Sequence, residues 1–204
     1  KFFQHYVYVG AAMKKMGGVG YELWSESDGF FYDTLCYPHG SYHKFRVRSL
    51  VGLIPLYAIE RLEERCMESF PEFRRDVHWF LEHRQDLVQR CVSTVQNDDG
   101  TVHVLAIITL EQIQQLLQRL WDPAEFRSEY GLRSLSKYHE AHPYVFGEHV
   151  VCYSPGESLE KIKGGNSNWR GPLWFPTAFM MIESLRKLRR AYGSQFAIPS
   201  PPSD

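Results

Sequence analysis

The sequence lacks the features that mark membrane-spanning and nucleic-acid-binding proteins. No apolar run approaches the roughly 20 residues that a membrane span needs, and the first residues lack the charged and apolar regions of a signal peptide. The 23 Lys and Arg residues balance the 24 Asp and Glu residues, so no basic field exists to hold nucleic acid or an anionic membrane. Neither nucleic acid nor a membrane is therefore expected as a partner.

Cysteine is scarce, and its spacing does not suit a metal or a disulfide framework. The four cysteines, at positions 36, 66, 91 and 152, form no Cys-x-x-Cys pair and have no neighbouring histidine at metal-ligand spacing. We therefore expect free thiols, no metal site and no cofactor. Reduced thiols and the lack of an Asn-x-Ser/Thr sequon favour a cytoplasmic protein.

Apolar residues are plentiful, and their spacing is mainly helical. Hydrophobic types make up 44% and aromatic types 15% of the 204 residues, enough for the core of one domain or part of a larger one. The periodicity predicts helices at 2–16, 49–62 with a kink at Pro55, 73–92, 109–121 and 175–192. Thr109 and Gln112 form a capping box for the fourth helix, and Gly193 closes the last.

Five segments have strand character, four of them in two pairs. Residues 30–37 and 43–48 flank a Pro-His-Gly-Ser turn, and residues 144–146 and 149–153 flank a Gly-Glu turn, so each pair predicts a hairpin. The apolar run 102–108 follows an Asn-Asp-Asp-Gly turn and fits either a short strand or the start of a helix.

The most informative stretch is residues 164–176, which combine two indoles, a guanidinium, two asparagines and several glycines in one loop. A pyranose ring presents an apolar face that stacks on an indole and hydroxyls that need fixed donors and acceptors. Trp169, Arg170 and Trp174 are therefore candidate sugar-binding residues. The alternative is that both tryptophans are core residues beneath a loop.

Four motifs in this sequence resemble glycoside hydrolase family 63, which includes processing α-glucosidases and mannosylglycerate hydrolases. Residues 169–174 read Trp-Arg-Gly-Pro-Leu-Trp, and residues 130–135 read Tyr-Gly-Leu-Arg-Ser-Leu. Upstream, Leu-Trp at 23–24 with Asp-Gly-Phe-Phe-Tyr-Asp at 28–33, and Arg-Val-Arg-Ser-Leu-Val-Gly-Leu-Ile-Pro-Leu at 46–56, resemble a bacterial-type, glucosidase-like branch. The order of the motifs agrees with the family across nearly the whole chain.

The resemblance implies an all-α fold that is part of an (α/α)6 barrel, with the hairpins as short β excursions. Such a barrel has twelve helices of about 11–12 residues each, plus loops, and this is more than the roughly six helices that can be counted in the sequence. We therefore expect residues 1–204 to form the later half of a catalytic domain without its C-terminal end, and the missing parts of that domain to be partners of the chain.

The resemblance also implies an inverting hydrolase whose substrate is an oligosaccharide or glycoside. Its general acid lies upstream and its general base downstream of the segment seen here, since Glu183 falls within the last helix. What remains is substrate binding, implied for Trp169, Arg170, Trp174, Tyr130 and Arg133. Glu129 is a weaker candidate, for which an ion pair with a neighbouring arginine is the commoner role.

Other motifs and functions are less well supported. The His-Glu-Ala-His run at 139–142 has one residue too few for a metalloprotease helix, and the acids around Gly29 lack the alternating ligands of a calcium loop. A noncatalytic helical carbohydrate-binding or scaffold module would use the same aromatic residues without the acids. A sugar epimerase or polysaccharide lyase would need a His pair or a Tyr or His base, and neither pattern is marked.

Overall fold

The computed structural model describes residues 1–14, 22–97, 100–155, 173–193 and 196. The helices are α1 (Phe2–Lys14), α2 (Glu64–Met67), α3 (Pro71–His83), α4 (Gln85–Val88), α5 (Leu110–Trp121), α6 (Tyr138–Ala141), α7 (Phe175–Tyr192) and a 3-10 helix at Leu50–Tyr57. The strands are β1 (Trp24–Ser25), β2 (Phe30–Phe31), β3 (Asp33–Cys36), β4 (Tyr42–Phe45), β5 (Ile59–Glu63), β6 (Val92–Asn97), β7 (Gly100–Ala106), β8 (Arg127–Ser128), β9 (Gly131–Leu132), β10 (Tyr144–Phe146) and β11 (His149–Val151).

The prediction of an all-α fold, part of an (α/α)6 barrel, is wrong. The described residues form a mixed α/β fold, in which 46% are helical and 26% lie in strands of several antiparallel sheets. The main departure is a three-stranded sheet of order β5-β7-β6. Its central strand β7 contains the β-branched Val102 and Val104, which are fully buried and favour an extended backbone because branching at Cβ restricts χ1.

The helix predicted over 49–62 is also only partly correct. Residues Leu50–Tyr57 form a 3-10 helix that contains Pro55, and a proline removes one of the N–H donors that an α-helix needs. The following residues, Ile59–Glu63, form edge strand β5 and pair antiparallel with β7. Pairing with a strand about 40 residues further along the chain thus overrides the local helical pattern.

Several predictions that depend on local sequence are confirmed. β3 pairs with β4 and β10 with β11, as two antiparallel hairpins. The capping box is formed in full: the backbone N–H of Gln112 donates to Thr109 Oγ1 (3.2 Å), and that of Thr109 to Gln112 Oε1 (3.0 Å). Helix α7 ends at Tyr192 before Gly193, whose φ is +54°.

The chain divides into two compact units. The first, called unit 1, comprises residues 1–22, 55–113 and 182–197, and the second, called unit 2, comprises residues 23–54, 114–181 and 198–204. In the described residues, no helix has the length and apolar character to cross a bilayer.

Unit 1 packs short helices on its sheet. One cluster of its core consists of Phe3, Val7, Met67, Val77, Phe80, Val88, Cys91 and Leu105. Helix α1 lies close to Cys91 and Ile107 because residue 10 has no side chain. A Cβ at Gly10 would lie 3.0 Å from Cys91 Cβ and 3.0 Å from Ile107 Cγ2. The Phe3 and Phe80 rings meet edge to face, with their centroids 5.8 Å apart, a favoured aromatic geometry.

Unit 2 is built around large buried aromatic and leucine side chains. Phe30 and Phe126 are fully buried and stack with centroids 5.8 Å apart and planes 13° from parallel. Leu116, Leu117 and Leu120 of α5 are also at most 1% exposed, since i, i+1 and i+4 fall on one side of a helix. This packing fixes the loops that follow α5, where the candidate site lies.

Candidate functional site

The five sequence-predicted substrate residues are only partly within the described structure. Trp169 and Arg170 lie outside the described residues. Trp174 is partly buried immediately before α7. Tyr130 is 85% exposed, and Arg133 follows β9 and is partly buried. The assignment of these residues to a substrate therefore stays a prediction.

Two of the predicted motifs lie side by side in unit 2. Arg133 and Leu173 form an antiparallel β-bridge, which sets Trp174 one residue beyond that contact. A Cβ at Gly131 would lie 3.9 Å from Leu173 Cδ2 and from Ala178 Cβ, so the backbone of β9 lies against the start of α7. The Tyr-Gly-Leu-Arg segment and the end of the Trp-Arg-Gly-Pro-Leu-Trp segment are thus neighbours.

The Arg133 guanidinium is held by its surroundings. Nη1 donates to the carbonyls of Pro123 (2.9 Å), Glu125 (3.3 Å) and Arg127, and Nε donates to the Tyr153 hydroxyl (3.1 Å). These contacts tie together the loop of residues 123–127, because one planar group with five N–H donors can satisfy several carbonyls at once.

A second densely hydrogen-bonded group in unit 2 is the Glu125 carboxylate, which sequence reasoning missed. Oε1 accepts hydrogen bonds from Arg48 Nη1 (2.5 Å) and Arg119 Nη1 (2.6 Å), and Oε2 accepts one from Ser136 Oγ (2.5 Å). The Glu125 side chain is only 8% exposed. We call Glu125, Arg48, Arg119 and Ser136 the Glu125 cluster.

Backbone pairing brings the members of the cluster together. The N–H of Ser136 donates to the Arg48 carbonyl (2.8 Å), and the N–H of Leu50 donates to the Ser134 carbonyl (2.8 Å). Burial alone would lower the pKa of Arg48, but hydrogen bonding to Tyr32 and the charge of Glu125 raise it. Arg48 therefore stays a cation within the cluster.

A polar cavity of about 520 Å³ borders this cluster. Its walls include carboxylates, amides and a guanidinium, from Glu26, Asp28, Gln115, Gln118, Arg119 and Glu125. Asp28 Oδ2 accepts a hydrogen bond from Arg46 Nη1 (2.7 Å), and the Asp28 carbonyl accepts one from Arg119 Nε (2.9 Å). The cavity offers hydrogen-bond donors and acceptors in fixed positions, which a hydroxyl-rich ligand needs for binding.

His139 is bonded to the backbone of Arg48, one member of the Glu125 cluster. It is 1% exposed, and its Nε2 lies 2.8 Å from the backbone N–H of Arg48, from which it accepts a hydrogen bond. Nδ1 then carries the proton and donates to the His142 carbonyl (2.9 Å). The ring is therefore neutral, and desolvation lowers the pKa of His139 below its ordinary value.

This burial predicts a pH dependence of stability. The unfolded chain takes up a proton at His139 near a pH of about 6.5, while the folded chain takes it up only at lower pH. The free energy of unfolding is therefore expected to fall as the pH drops below about 6.5 and to recover above it. In His139→Gln, which keeps an acceptor for Arg48, the decrease between about pH 7.5 and pH 5.5 should be smaller than in the wild type.

Denaturant unfolding at both pH values measures this difference. The matched control is His5→Gln, an exposed position on α1, which is expected to keep the wild-type dependence. An unchanged dependence in His139→Gln would contradict the assignment.

The residues of the Glu125 cluster carry only a weak sequence signal. Arg48 lies within the Arg-Val-Arg-Ser-Leu motif, and Ser136 directly follows Tyr-Gly-Leu-Arg-Ser-Leu, so the motifs marked the neighbourhood. Glu125 lies in a short Asp-Pro-Ala-Glu loop that looks like ordinary turn chemistry. Its partner Arg48 is 77 positions away, beyond any local pattern.

Comparison with known proteins agrees with these motifs. Residues 101–198 match the family model for the glycosyl hydrolase family 63 C-terminal domain. The chain is 39% identical, over 98% of its length, to the Saccharomyces cerevisiae protein named "Uncharacterized protein YMR196W", and it spans about a fifth (20%) of that relative's length. No solved structure gives a significant match. Through residues 101–198, the chain is related to glycosyl hydrolase family 63.

Proposed function

We propose that the chain is part of an inverting, glucosidase-like α-glycosidase and that it contributes groups that bind the sugar. The family relationship supports the general class. The observation that carries the site is the polar cavity of unit 2, since five of the residues in its wall lie within the family-matched segment, namely Gln115, Gln118, Arg119, Asp122 and Glu125.

The chemistry of the cavity suits a sugar subsite. Each sugar hydroxyl both donates and accepts a hydrogen bond, so a subsite needs both kinds of partner in fixed positions. Arg119 is held in place by Glu125 and the Asp28 carbonyl. Gln115 and Gln118 lie exposed on one side of α5, and their amides supply both donors and acceptors.

The aromatic residues would complete the subsite by stacking on the apolar face of the ring. Trp174 and Tyr130 are the described candidates, and Trp169 is proposed to join them, while Arg170 is proposed to bind a sugar hydroxyl or a neighbouring carboxylate. An indole can stack on a pyranose while neighbouring polar groups bind its rim. This arrangement is part of the proposal and rests on the family motifs.

We further propose that the general acid and general base are supplied from outside this cavity. The family resemblance implies that both groups lie outside this segment, and two of the carboxylates in the cavity wall are already engaged: both oxygens of Glu125 accept strong hydrogen bonds, and Asp28 is paired with Arg46. A carboxyl group engaged in this way is poorly placed to exchange a proton with a glycosidic oxygen or a water. The same observation favours the alternative function, a noncatalytic carbohydrate-binding module.

A binding experiment tests the subsite. NMR titration of the 204-residue chain with maltotetraose is expected to shift resonances around the cavity, and Gln118→Ala should weaken the affinity by about fivefold, the loss of one or two hydrogen bonds. Gln114→Ala is the matched control, because Gln114 is exposed on the same helix and does not line the cavity. Absence of binding, or equal effects of the two changes, would contradict the proposal.

An activity assay separates the two functions. The 204-residue chain is expected to release no nitrophenol from nitrophenyl α-glucoside. A longer protein that contains these residues and the rest of the catalytic domain is expected to hydrolyse this substrate with inversion. Binding without hydrolysis in both forms would favour the noncatalytic module. Hydrolysis by the 204-residue chain that disappears in Asp28→Asn would place catalysis inside the cavity and contradict the proposal.

A further inference from the structure

A cluster of two histidines and a glutamate lies in unit 1. His78 Nε2 lies 2.5 Å and His103 Nε2 lies 2.8 Å from the same oxygen of Glu64, Oε1. One ligand atom from each of the three residues lies within 4.8 Å of the other two. Two imidazoles and a carboxylate form a recurrent donor set for zinc and for other divalent transition metals.

The fold fixes two of the three donors. His103 is in the central strand β7, with its side chain 7% exposed, and it is paired in register with Leu62 of β5 and Thr94 of β6. Glu64 begins α2, two residues after Leu62. Alternate residues of a strand share a face, so the turn from β5 into α2 delivers the carboxylate above His103.

The third donor comes from a helix. His78 lies on α3, four residues after Arg74, and residues at this spacing lie one above the other on a helix. Arg74 Nε donates to Glu64 Oε2 (3.0 Å), which leaves Oε1 directed at the two imidazoles. His78 is 45% exposed, so one side of the cluster is open to solvent.

The surrounding hydrogen bonds orient the ligands in the way that metal sites require. His103 Nδ1 lies 3.0 Å from Thr94 Oγ1, and a donor bond from Nδ1 to that hydroxyl would leave Nε2 unprotonated for a metal. Partners of this kind fix the orientation of ligating histidines, and ligating carboxylates are themselves hydrogen-bonded. Arg74 supplies such a hydrogen bond to the carboxylate of Glu64.

The distances between the ligand atoms are also close to those of a zinc site. Ligand atoms about 2.0–2.1 Å from a tetrahedral zinc are about 3.3 Å apart, so the present 2.5 and 2.8 Å contacts need only a small outward movement. The exposed His78 can make that movement. Arg74 and His78 also line an open cavity of about 540 Å³, which leaves room for a fourth ligand.

We propose that Glu64, His78 and His103 form a binding site for one divalent transition-metal ion, with zinc as the best fit. The site uses three protein ligands and keeps one position for water or a small ligand on the cavity side, as three-ligand zinc sites do. The proposal is independent of the sugar-binding function, because all of its residues belong to unit 1.

Calorimetric titration of the chelator-treated chain with zinc tests the proposal. The experiment uses a Cys36→Ser, Cys66→Ser background, because both of these thiols are exposed and would bind zinc themselves. One ion per chain is expected. His78→Ala and Glu64→Gln are each expected to weaken the affinity by at least tenfold, while His83→Ala, an exposed histidine at the end of the same helix, should leave it within about twofold.

A second measurement uses visible absorption and reports on the ligands of the metal as well as on its affinity. Cobalt(II) in a site with imidazole ligands is expected to give visible absorption bands, which His78→Ala should change and His83→Ala should not. His78 is exposed, so its loss is not expected to unfold the chain. Absence of stoichiometric binding, or equal losses in His78→Ala and His83→Ala, would overturn the proposal and identify the cluster as a hydrogen-bonded brace.

Discussion

Replacement of Glu125 by alanine is expected to lower the free energy of unfolding by about 3–5 kcal/mol. The change removes one carboxylate that satisfies two guanidinium groups and a hydroxyl. Arg48 and Arg119, with side chains 14% and 23% exposed, would then be largely buried cations without their counterion. An uncompensated charge of this kind costs more than the intact pair contributes.

Urea unfolding of the variant at neutral pH measures the effect. Glu129→Ala is the matched control, an exposed glutamate four positions further on, and its change should stay within about 0.5 kcal/mol. Glu125→Gln, which keeps the shape and one acceptor, should lie between the two. Equal stabilities of Glu125→Ala and Glu129→Ala would show that the cluster does not hold unit 2 together.

Replacement of Gly52 by alanine is expected to cost about 1–3 kcal/mol, although it adds a single methyl group. A Cβ at this position would overlap Phe30 Cε1 and would lie 2.5 Å from the Phe31 carbonyl oxygen. Phe30 is fully buried and stacked on Phe126, so the ring has no free space to enter. Either the stack or the backbone of β2 has to shift.

Thermal unfolding of Gly52→Ala measures this cost, with Val51→Ala as the control because Val51 is 38% exposed. The change in near-ultraviolet circular dichroism should accompany the loss of stability, since the aromatic stack moves. A variant as stable as the wild type, with an unchanged spectrum, would contradict the close packing of Gly52 on Phe30.

The elements that the sequence predicted well are those fixed by neighbouring residues. The Thr109–Gln112 capping box needs a spacing of three, and the β3–β4 and β10–β11 hairpins need only a turn between two β-rich runs. Helix α7 combines a long apolar periodicity with a closing Gly193. Each of these signals lies within about 20 residues, where pattern reasoning is strongest.

The elements that it missed depend on distant partners. Ile59–Glu63 looks helical by itself and becomes a strand because β7 supplies its hydrogen bonds, and tertiary pairing outweighs a weak propensity. Glu125 meets Arg48 across 77 positions, and Glu64 meets His103 across 39. The Arg-Val-Arg-Ser-Leu motif contains Arg48 and the Tyr-Gly-Leu-Arg-Ser-Leu motif lies next to Ser136 of the Glu125 cluster, but no periodicity links these charged residues to one another.

Cys91 has a buried thiol that can be used to measure local opening of unit 1. Its thiol is 2% exposed, donates towards the carbonyls of Val7 and Leu87, and sits beneath Gly10 of α1, whereas Cys36 and Cys66 are exposed. A thiol reagent in native buffer should therefore label those two at once and reach Cys91 only when α1 lifts away. The labelling rate of Cys91, divided by the rate for an exposed thiol, then gives the local opening equilibrium constant of unit 1 without any denaturant.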